Sequence, residues 1–349
     1  MNGHLIVVRP GPMTTVQDLG RSGYQHVGMP VAGALDAIAL RLANALVGNP
    51  QGMAGLELRF QGPELAVAAE TVRIAVAGPV RLELAGEPAR ELAPWRSHRL
   101  TTGQLLRVGP VRAGAVAYVA IEGGLALPPV LGSLATYARA SLGGLDGRAL
   151  QVGDRLPLAQ PAAGARDELA LPAPPDYGSG PLRVVLGPQD DYFTREALAT
   201  FLGAAYTVSR EADRMGLRLD GPKLAHAKGA DIASDGIATG SIQVPGNGLP
   251  ILLLADHQTA GGYPKIATVV SADLPRAGHL LPGQTVRFGA VTVAEAEAIR
   301  RAQEAMLVRL IAGMRGAPVV GGIDLEALHR ENLISGVVDS LAAPPASGE

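Results

Sequence analysis

Leu58-Arg59-Phe60-Gln61-Gly62-Pro63-Glu64-Leu65 returns, little changed, as Leu217-Arg218-Leu219-Asp220-Gly221-Pro222-Lys223-Leu224. Both read as a strand that alternates apolar and polar residues into a Gly-Pro turn. Two further markers repeat in the same order. Ala117–Ile121 followed by Gly123-Gly124 matches Ile251–Ala255 followed by Gly261-Gly262. Val152-Gly153-Asp154-Arg155-Leu156 matches Pro282-Gly283-Gln284-Thr285-Val286. The offset between the copies shrinks along the chain, so they differ by insertions and the first is longer. Three ordered markers point to an internal duplication.

Between the copies, Gln160–Gly180 is rich in Pro, Ala and Gly without a period and reads as a linker. The expected organisation is a first half over 1–165, a linker over 166–181, a second half over 182–316 and a tail over 317–349, with Ala342–Glu349 expected to be disordered.

Most segments read as strands, among them Val72–Val76 and Leu105–Val108. Three read as helices. Leu35–Val47 places Leu35, Ile38, Leu42 and Leu46 on one face, with Gly48 as its stop. Asp191–Leu202 turns Phe193, Leu198 and Phe201 inward. Ala294–Met314 starts from a Thr292/Glu295 capping box and carries a stripe of Ile299, Met306, Leu310 and Met314. Strict strand–helix alternation is missing, which argues against Rossmann and TIM folds. The expected class is mainly β with a few helices, as two related barrel-like halves.

The chain has 349 residues, of which 47% are apolar and 18% charged. That is a globular composition, not a disordered one. A net charge of −2 gives no electrostatic reason to expect nucleic acid or a membrane surface as partner. There is no cysteine, so disulfides, thiolate metal sites and cysteine nucleophiles are excluded. No apolar run is long enough to span a bilayer and no leader pattern opens the chain, so a cytoplasmic location is expected. Lysine is rare, at Lys223, Lys228 and Lys265 only, against 27 arginines. An ammonium is a compact, movable charge, chemically unlike a guanidinium fork.

Three stretches are candidates for chemistry. Gly11–Gln25 is polar and Gly-rich, with Gln17, Asp18 and Arg21 as possible contacts. Its glycines let backbone approach a ligand, and it equally reads as a tight turn. It lacks the Gly-Lys-Ser/Thr of a Walker A loop. Asp36 follows, expected in the first turn of a helix where its charge suits the dipole. Ser209–Gly216 holds Arg210, Glu211, Asp213 and Arg214, read as a solvated loop, a local ion pair or a binding contact.

The densest stretch is Ile242–Lys265. A buried strand, Ile251–Leu254, ends in Asp256, His257, Gln258 and Thr259, then in Gly261-Gly262-Tyr263-Pro264-Lys265. Polar groups on a Gly-rich strand end have a rigid base and close backbone access. Asp256 and Lys265 are the candidate catalytic pair. Gln243, Gln258, Tyr263 and Arg214, with Gln17, Asp18 and Arg21, are the candidate substrate-binding residues. The seven histidines show no metal spacing, so no metal ligands are assigned, and no Gly-x-Ser-x-Gly elbow exists.

At these segments the chain resembles the family of bacterial 5-oxoprolinase C subunits (KipA/PxpC type), within the wider allophanate hydrolase subunit 2 and urea carboxylase carboxyltransferase family. The resemblance is carried by Gly11–Arg21, Gly33-Ala34-Leu35-Asp36, Ala43–Asn49 and Leu56-Glu57. It continues through Gly123-Gly124, Leu131-Gly132-Ser133, Gly143-Gly144 and Gly153-Asp154. The C-terminal half adds Gly187-Pro188-Gln189-Asp190, Asp213–Gly216, Ser234-Asp235-Gly236, Gly240–Pro245 and Asp256–Lys265. His257 and Ala260 stand where the family more often has Arg or Thr, and His279 where Gln is common.

The resemblance implies two cyclophilin-like β-barrel domains. It implies two partners, a KipI-like B subunit and a LamB/YcsF-like A subunit, and an ATP-dependent opening of 5-oxo-L-proline to L-glutamate. ATP and Mg²⁺ would act at the level of the complex. Two other functions stay open: a biotin-dependent carboxyltransferase module, and a KipA-like regulator that binds a kinase inhibitor. The chain has no Met-Lys-Met carrier segment, so no biotin is attached to it, and no ATP-grasp region.

Overall fold

The computed structural model describes residues 3–317; the tail beyond them lies outside the described residues. The first half supplies β1 (His4–Arg9), β2 (Met13–Gln17), β3 (Gly55–Arg59), β4 (Glu64–Ala68), β5 (Thr71–Ala77), β6 (Val80–Leu84), β7 (Arg90–Leu92), β8 (Ser97–Thr101), β9 (Leu105–Val111), β10 (Val116–Ile121) and β11 (Arg155–Pro157), with helix α1 (Ala37–Leu46). The rest supplies β12 (Leu169–Ala170), β13 (Leu182–Leu186), β14 (Tyr206–Ala212), β15 (Gly216–Asp220), β16 (Asp235–Gly236), β17 (Ser241–Gln243), β18 (Ile251–Leu253), β19 (Ala260–Gly261), β20 (Lys265–Val269), β21 (Thr285–Val286), β22 (Phe288–Ala290) and β23 (Arg315–Gly316). Its helices are α2 (Arg195–Gly203), α3 (Leu274–Gly278) and α4 (Val293–Ala312). The fold is mainly β with a few helices, as the alternation pattern implied.

Two sheets build the first half, ordered β11-β1-β4-β9-β6-β7 and β2-β3-β10-β5-β8. The second half is built on one eight-stranded sheet, β21-β14-β15-β18-β17-β20-β13-β22, with a separate two-stranded pair, β16-β19. Its edge strands β21 and β22 are separated in sequence only by Arg287. One residue advances the chain by less than about 4 Å. The two edges are therefore consecutive parts of one run, which pairs with β14 through β21 and with β13 through β22, and the sheet curls into a nearly closed barrel with no long free edge.

The repeated markers occupy equivalent places. β3 lies between its predecessor β2 and the distant β10, and β15 lies between β14 and β18, all antiparallel. The third marker is a strand in both halves but finds different partners: β11 pairs with β1, and β21 with β14.

Every residue of β10, Val-Ala-Tyr-Val-Ala-Ile, is buried. Alternate side chains point to opposite faces of a strand. Ala117, Val119 and Ile121 enter the core between the first-half sheets. Val116, Tyr118 and Ala120 enter a second core with α1 and the second-half barrel. A continuous apolar run is what a strand covered on both faces requires. Helix α1 fills the seam with Ile38, Leu42 and Leu46, each contributing roughly 1.5–3 kcal/mol through burial.

The helices sharpen the sequence-based expectations. Asp36 is the N-cap of α1, not a first-turn residue, and accepts from the Ile38 and Ala39 N–H groups. The expected helix at Asp191–Leu202 is a single 3-10 turn over Asp190–Tyr192 followed by α2, which Thr194 caps. In α4 the capping box is present, but Leu307 is the fully buried residue, while Ile299, Met306, Leu310 and Met314 are half-buried.

Candidate functional site

The second-half barrel places β17 between β18 and β20, with Gln243 opposite Ile251 on one side and Lys265 on the other. Directly paired residues share a face of the sheet, so Gln243 and Lys265 stand together. The chain after β18 turns at Asp256-His257, then runs as β19 beside β16, which sets Asp235 opposite Gly261. This short pairing brings the Ser234-Asp235-Gly236 segment to the Asp256–Lys265 loop.

Lys265 is only 2% exposed, and its ammonium donates to Asp235 Oδ2 at 2.8 Å. Asp235 is half exposed, and Gln189 Nε2 reaches the same oxygen at 3.3 Å. The Lys265 hydrogen bond, together with the Gly236 N–H, holds the Asp235 carboxyl below the usual aspartate range. Gln189 Oε1 in turn accepts the Lys265 backbone N–H at 3.1 Å.

Gln258 donates from Nε2 to Gln243 Oε1 at 3.2 Å, and Gln243 donates to the Tyr263 carbonyl at 3.4 Å. A side chain on Gly261 would come within 2.9 Å of Gln243 Nε2. Glycine there leaves the amide pair room to sit against the loop backbone. Gln243, Gln258 and the 42%-exposed Tyr263 line a cleft of about 600 Å³. Arg139, Arg210, Glu211, Asp213 and Arg218 line it too. Arg218 pairs with Glu211 at 2.9 Å, and Arg139 comes from the first half to within 4.0 Å of Asp213.

Lys265, Asp235, Arg214 and Asp256 do not line this cleft; Lys265 adjoins it through its strand partner Gln243. Arg214 donates from Nε and NH2 to Asp256 at 2.9 Å each, from NH1 to Glu57, and from NH2 to the Gly33 carbonyl at 2.6 Å. Burial works against the guanidinium charge, but Glu57 and Asp256 outweigh it and leave its pKa raised. Glu57 also accepts the Tyr118 hydroxyl at 2.6 Å and the Leu35 N–H at 2.8 Å. Arg214 is thus neither in a solvated loop nor a surface ion pair: it clamps the second half onto β3 of the first.

Gln17, Asp18 and Arg21 are buried and also stand away from the cleft lining. Asp18 accepts from Gly20 N, Ser133 Oγ and Leu134 N, all at 2.7 Å. Gln17 donates to Thr136 O at 3.1 Å, and Arg21 NH2 donates to Ala135 O. These side chains pin the Gly11–Gln25 segment to the loop at Ser133–Thr136. Arg21 Nε and NH1 find no hydrogen-bond partner among the described residues, and burial lowers its pKa. His257 is not exposed at its strand end. It is fully buried between Thr239 Oγ1 at 3.1 Å and the Gln258 carbonyl at 2.5 Å, and burial depresses its pKa below the usual histidine value.

Sequence reasoning passed over Asp235, Gln189, Glu57 and Arg139 as site residues. The first three sit inside the segments that carry the family resemblance, but only strand pairing shows what they touch. Nothing in the sequence marks Arg139.

Residues 27–290 match the family model for the carboxyltransferase domain, subdomains A and B. The 5-oxoprolinase C subunit of Escherichia coli strain K12 is 37% identical over 305 residues, covering 86% of this chain and 95% of that protein. The protein of the same name from Haemophilus influenzae is 36% identical over 297 residues, covering 84% and 93%. The crystal structure of Kluyveromyces lactis urea carboxylase superposes with a TM-score of 0.79 at 32% identity, over 88% of this chain and 29% of that longer one. With the family model matching most of the chain and two relatives aligned nearly end to end, the chain belongs to the carboxyltransferase-domain family, alongside the proteins named as 5-oxoprolinase C subunits.

Proposed function

We propose that this chain is the C subunit of an ATP-dependent 5-oxoprolinase, inactive alone and completed by partners of the A and B types. The supporting relatives carry that name over nearly their whole length. Within the chain, the observation that carries the reading is Lys265: a desolvated ammonium whose charged partner is the half-exposed Asp235, beside the amides of Gln243 and Gln258. A substrate carboxylate can replace Asp235 on Lys265. Amide groups at the cleft wall suit a lactam, which offers one N–H and one carbonyl. A site built to pair such groups rejects analogues lacking them.

In the net reaction the lactam C–N bond breaks, one water supplies the new carboxyl oxygen and the ring nitrogen becomes the amine. A second water is consumed with ATP, giving ADP and phosphate. Phosphorylation of the lactam oxygen would make its carbon open to water. Positioned donors that stabilise the charge developing there are worth about 10²–10³ in rate each. The described residues group no three His, Asp or Glu as a metal site, so no step in this chain is assigned to Mg²⁺. ATP and Mg²⁺ belong to the reading at the level of the complex.

The test is reconstitution with the A- and B-type partners, following ATP-dependent glutamate formation. Strict dependence on this chain is expected. Lys265→Ala and Gln258→Ala should each lower the rate by about 10²-fold. Wild-type rates in both variants would remove the site from the chemistry.

The likeness to urea carboxylase supports a second reading, carboxyl transfer from a biotin carrier on another protein. Bicarbonate-dependent activity with a carboxylated carrier, and none with 5-oxoproline, would favour it.

A further inference from the structure

A separate cavity of about 550 Å³ opens at the seam, and its lining shares no residue with the cleft at Gln258. Its walls come from three parts of the chain: Ala39, Trp95 and Val116 of the first half, Pro174, Pro175 and Tyr177 of the linker, and His279 and Leu280 of the second half. Its size falls within the few hundred Å³ typical of small-molecule sites, which favour seams between packed units.

At the polar end of the cavity the Asp36 carboxylate is already satisfied, while the lining His279 keeps a buried Nδ1 with no hydrogen-bond partner among the described residues. Asp36 accepts from Ile38 N, Ala39 N, the Tyr177 hydroxyl at 2.5 Å and His279 Nε2 at 2.9 Å. Four donors saturate that carboxylate, so the only open polar atom of the floor is His279 Nδ1. The Trp95 and Tyr177 rings and the prolines Pro79, Pro94, Pro174 and Pro175 offer flat, apolar, conformationally stiff surface. Rigid walls lose little entropy when a ligand arrives. At the rim, Gln284 uses Oε1 to accept the Leu281 N–H at 2.9 Å, and Arg276 adds a guanidinium that donates to the Gly180 carbonyl at 2.5 Å and lies 3.6 Å from Asp273, with which an anionic occupant would share its charge.

Trp95 is held in an unusual conformation. Its φ is +58°, a region bulky residues seldom occupy. Two hydrogen bonds fix it there: its N–H donates to Val76 O at 2.7 Å, and its carbonyl accepts from Leu171 N at 2.9 Å. Backbone strain of this kind persists only where surrounding structure enforces it, and it clusters at ligand sites.

We infer that this cavity is a binding site for a small, flat, largely apolar ring compound carrying a single anionic group, seated on Trp95 and Tyr177 with that group toward Arg276 and Gln284. The inference is independent of the 5-oxoprolinase reading, because the two cavities have no residue in common. An occupant would touch both halves and the linker, so binding would tighten the seam.

Trp95 is the sole tryptophan of the chain, so its emission reports the cavity directly. The probe is anilinonaphthalene sulfonate, titrated into the full-length chain. Saturable quenching of Trp95 at one probe per chain is expected, with a rise in thermal midpoint. Ala113 lies at the exposed part of the lining, where a larger side chain blocks entry without disturbing the core. Ala113→Phe should weaken binding by about tenfold or more and Ala113→Leu by less, while Arg210→Ala in the other cleft should leave it unchanged. Absence of saturable quenching in the wild-type chain would overturn the inference. So would equal affinity in the wild type and Ala113→Phe, or more than one probe bound per chain with no effect of either Ala113 substitution.

Discussion

Arg214 carries its charge out of water between Glu57 and Asp256, and removing it leaves two buried carboxylates facing each other. Breaking a buried pair from one side costs about 3–5 kcal/mol. Arg214→Ala should lower stability by that order, read as a shift of the urea midpoint at constant slope. Arg214→Lys should recover only part of it, since an ammonium cannot bridge Asp256 with two parallel N–H donors while also reaching Gly33. Asp256→Ala is expected to lose activity largely in step with stability, whereas Lys265→Ala should lose activity with a smaller loss of stability. That contrast separates the clamp from the site.

Burial lowers the pKa of His257 and of His98, so each binds its proton less readily when folded than the usual 6.5. Between the folded pKa and 6.5 the unfolded chain holds more protons, and stability therefore rises with pH. Stability should fall as pH drops below 6.5, by at most about 1.4 kcal/mol per pH unit for each ring. Urea midpoints from pH 7.5 to 5 check this, and His257→Asn should flatten the slope. An unchanged slope would mean that the ring is not the proton-linked group.

At the scale of elements, α4 begins with Thr292 Oγ1 accepting the Glu295 N–H at 3.2 Å while Glu295 accepts the Thr292 N–H at 2.7 Å. Thr292→Ala should cost about 1 kcal/mol. Leu307→Ala, which empties the one fully buried position of the helix, should cost about 2–5 kcal/mol. The ranking, measured by thermal or urea unfolding, tests whether packing or capping holds the helix. Its other ties run to α1, through Arg41 and Glu304 at 2.5 and 2.9 Å, and to Ala272 O through Gln303 at 2.7 Å. Strand β10 works in two directions at once, and so does β5, with Val72, Ile74 and Val76 in one core and Ala75 and Ala77 in the other.

For the whole molecule, the shared seam predicts one unfolding event. The core that holds α1, β5 and β10 also holds Val184, Phe201, Ile242 and Leu307 of the second half. A single calorimetric transition, with calorimetric and van't Hoff enthalpies equal, is expected. Two resolved transitions would show that the halves unfold separately despite the common core. Among the described residues no helix is long and apolar enough to cross a membrane.

The repeated markers, the mainly β class, the Thr292 helix start and the family are legible in the order of the residues, because they rest on local patterns: alternation, glycine turns, capping residues and ordered motifs. Gln243, Gln258 and Tyr263 stand out the same way, since their loop chemistry is local. Which polar residues share a cleft, and which hold the halves together, is settled only when the chain has packed. Arg214, Asp256, Gln17, Asp18 and Arg21 look like Gln258 in sequence, yet they are buried among partners up to 181 residues away. Pairing of β16 with β19 decides that Asp235 meets Lys265. Such contacts depend on strand register and on which faces close against each other, and neither is set by the residues beside them in the chain.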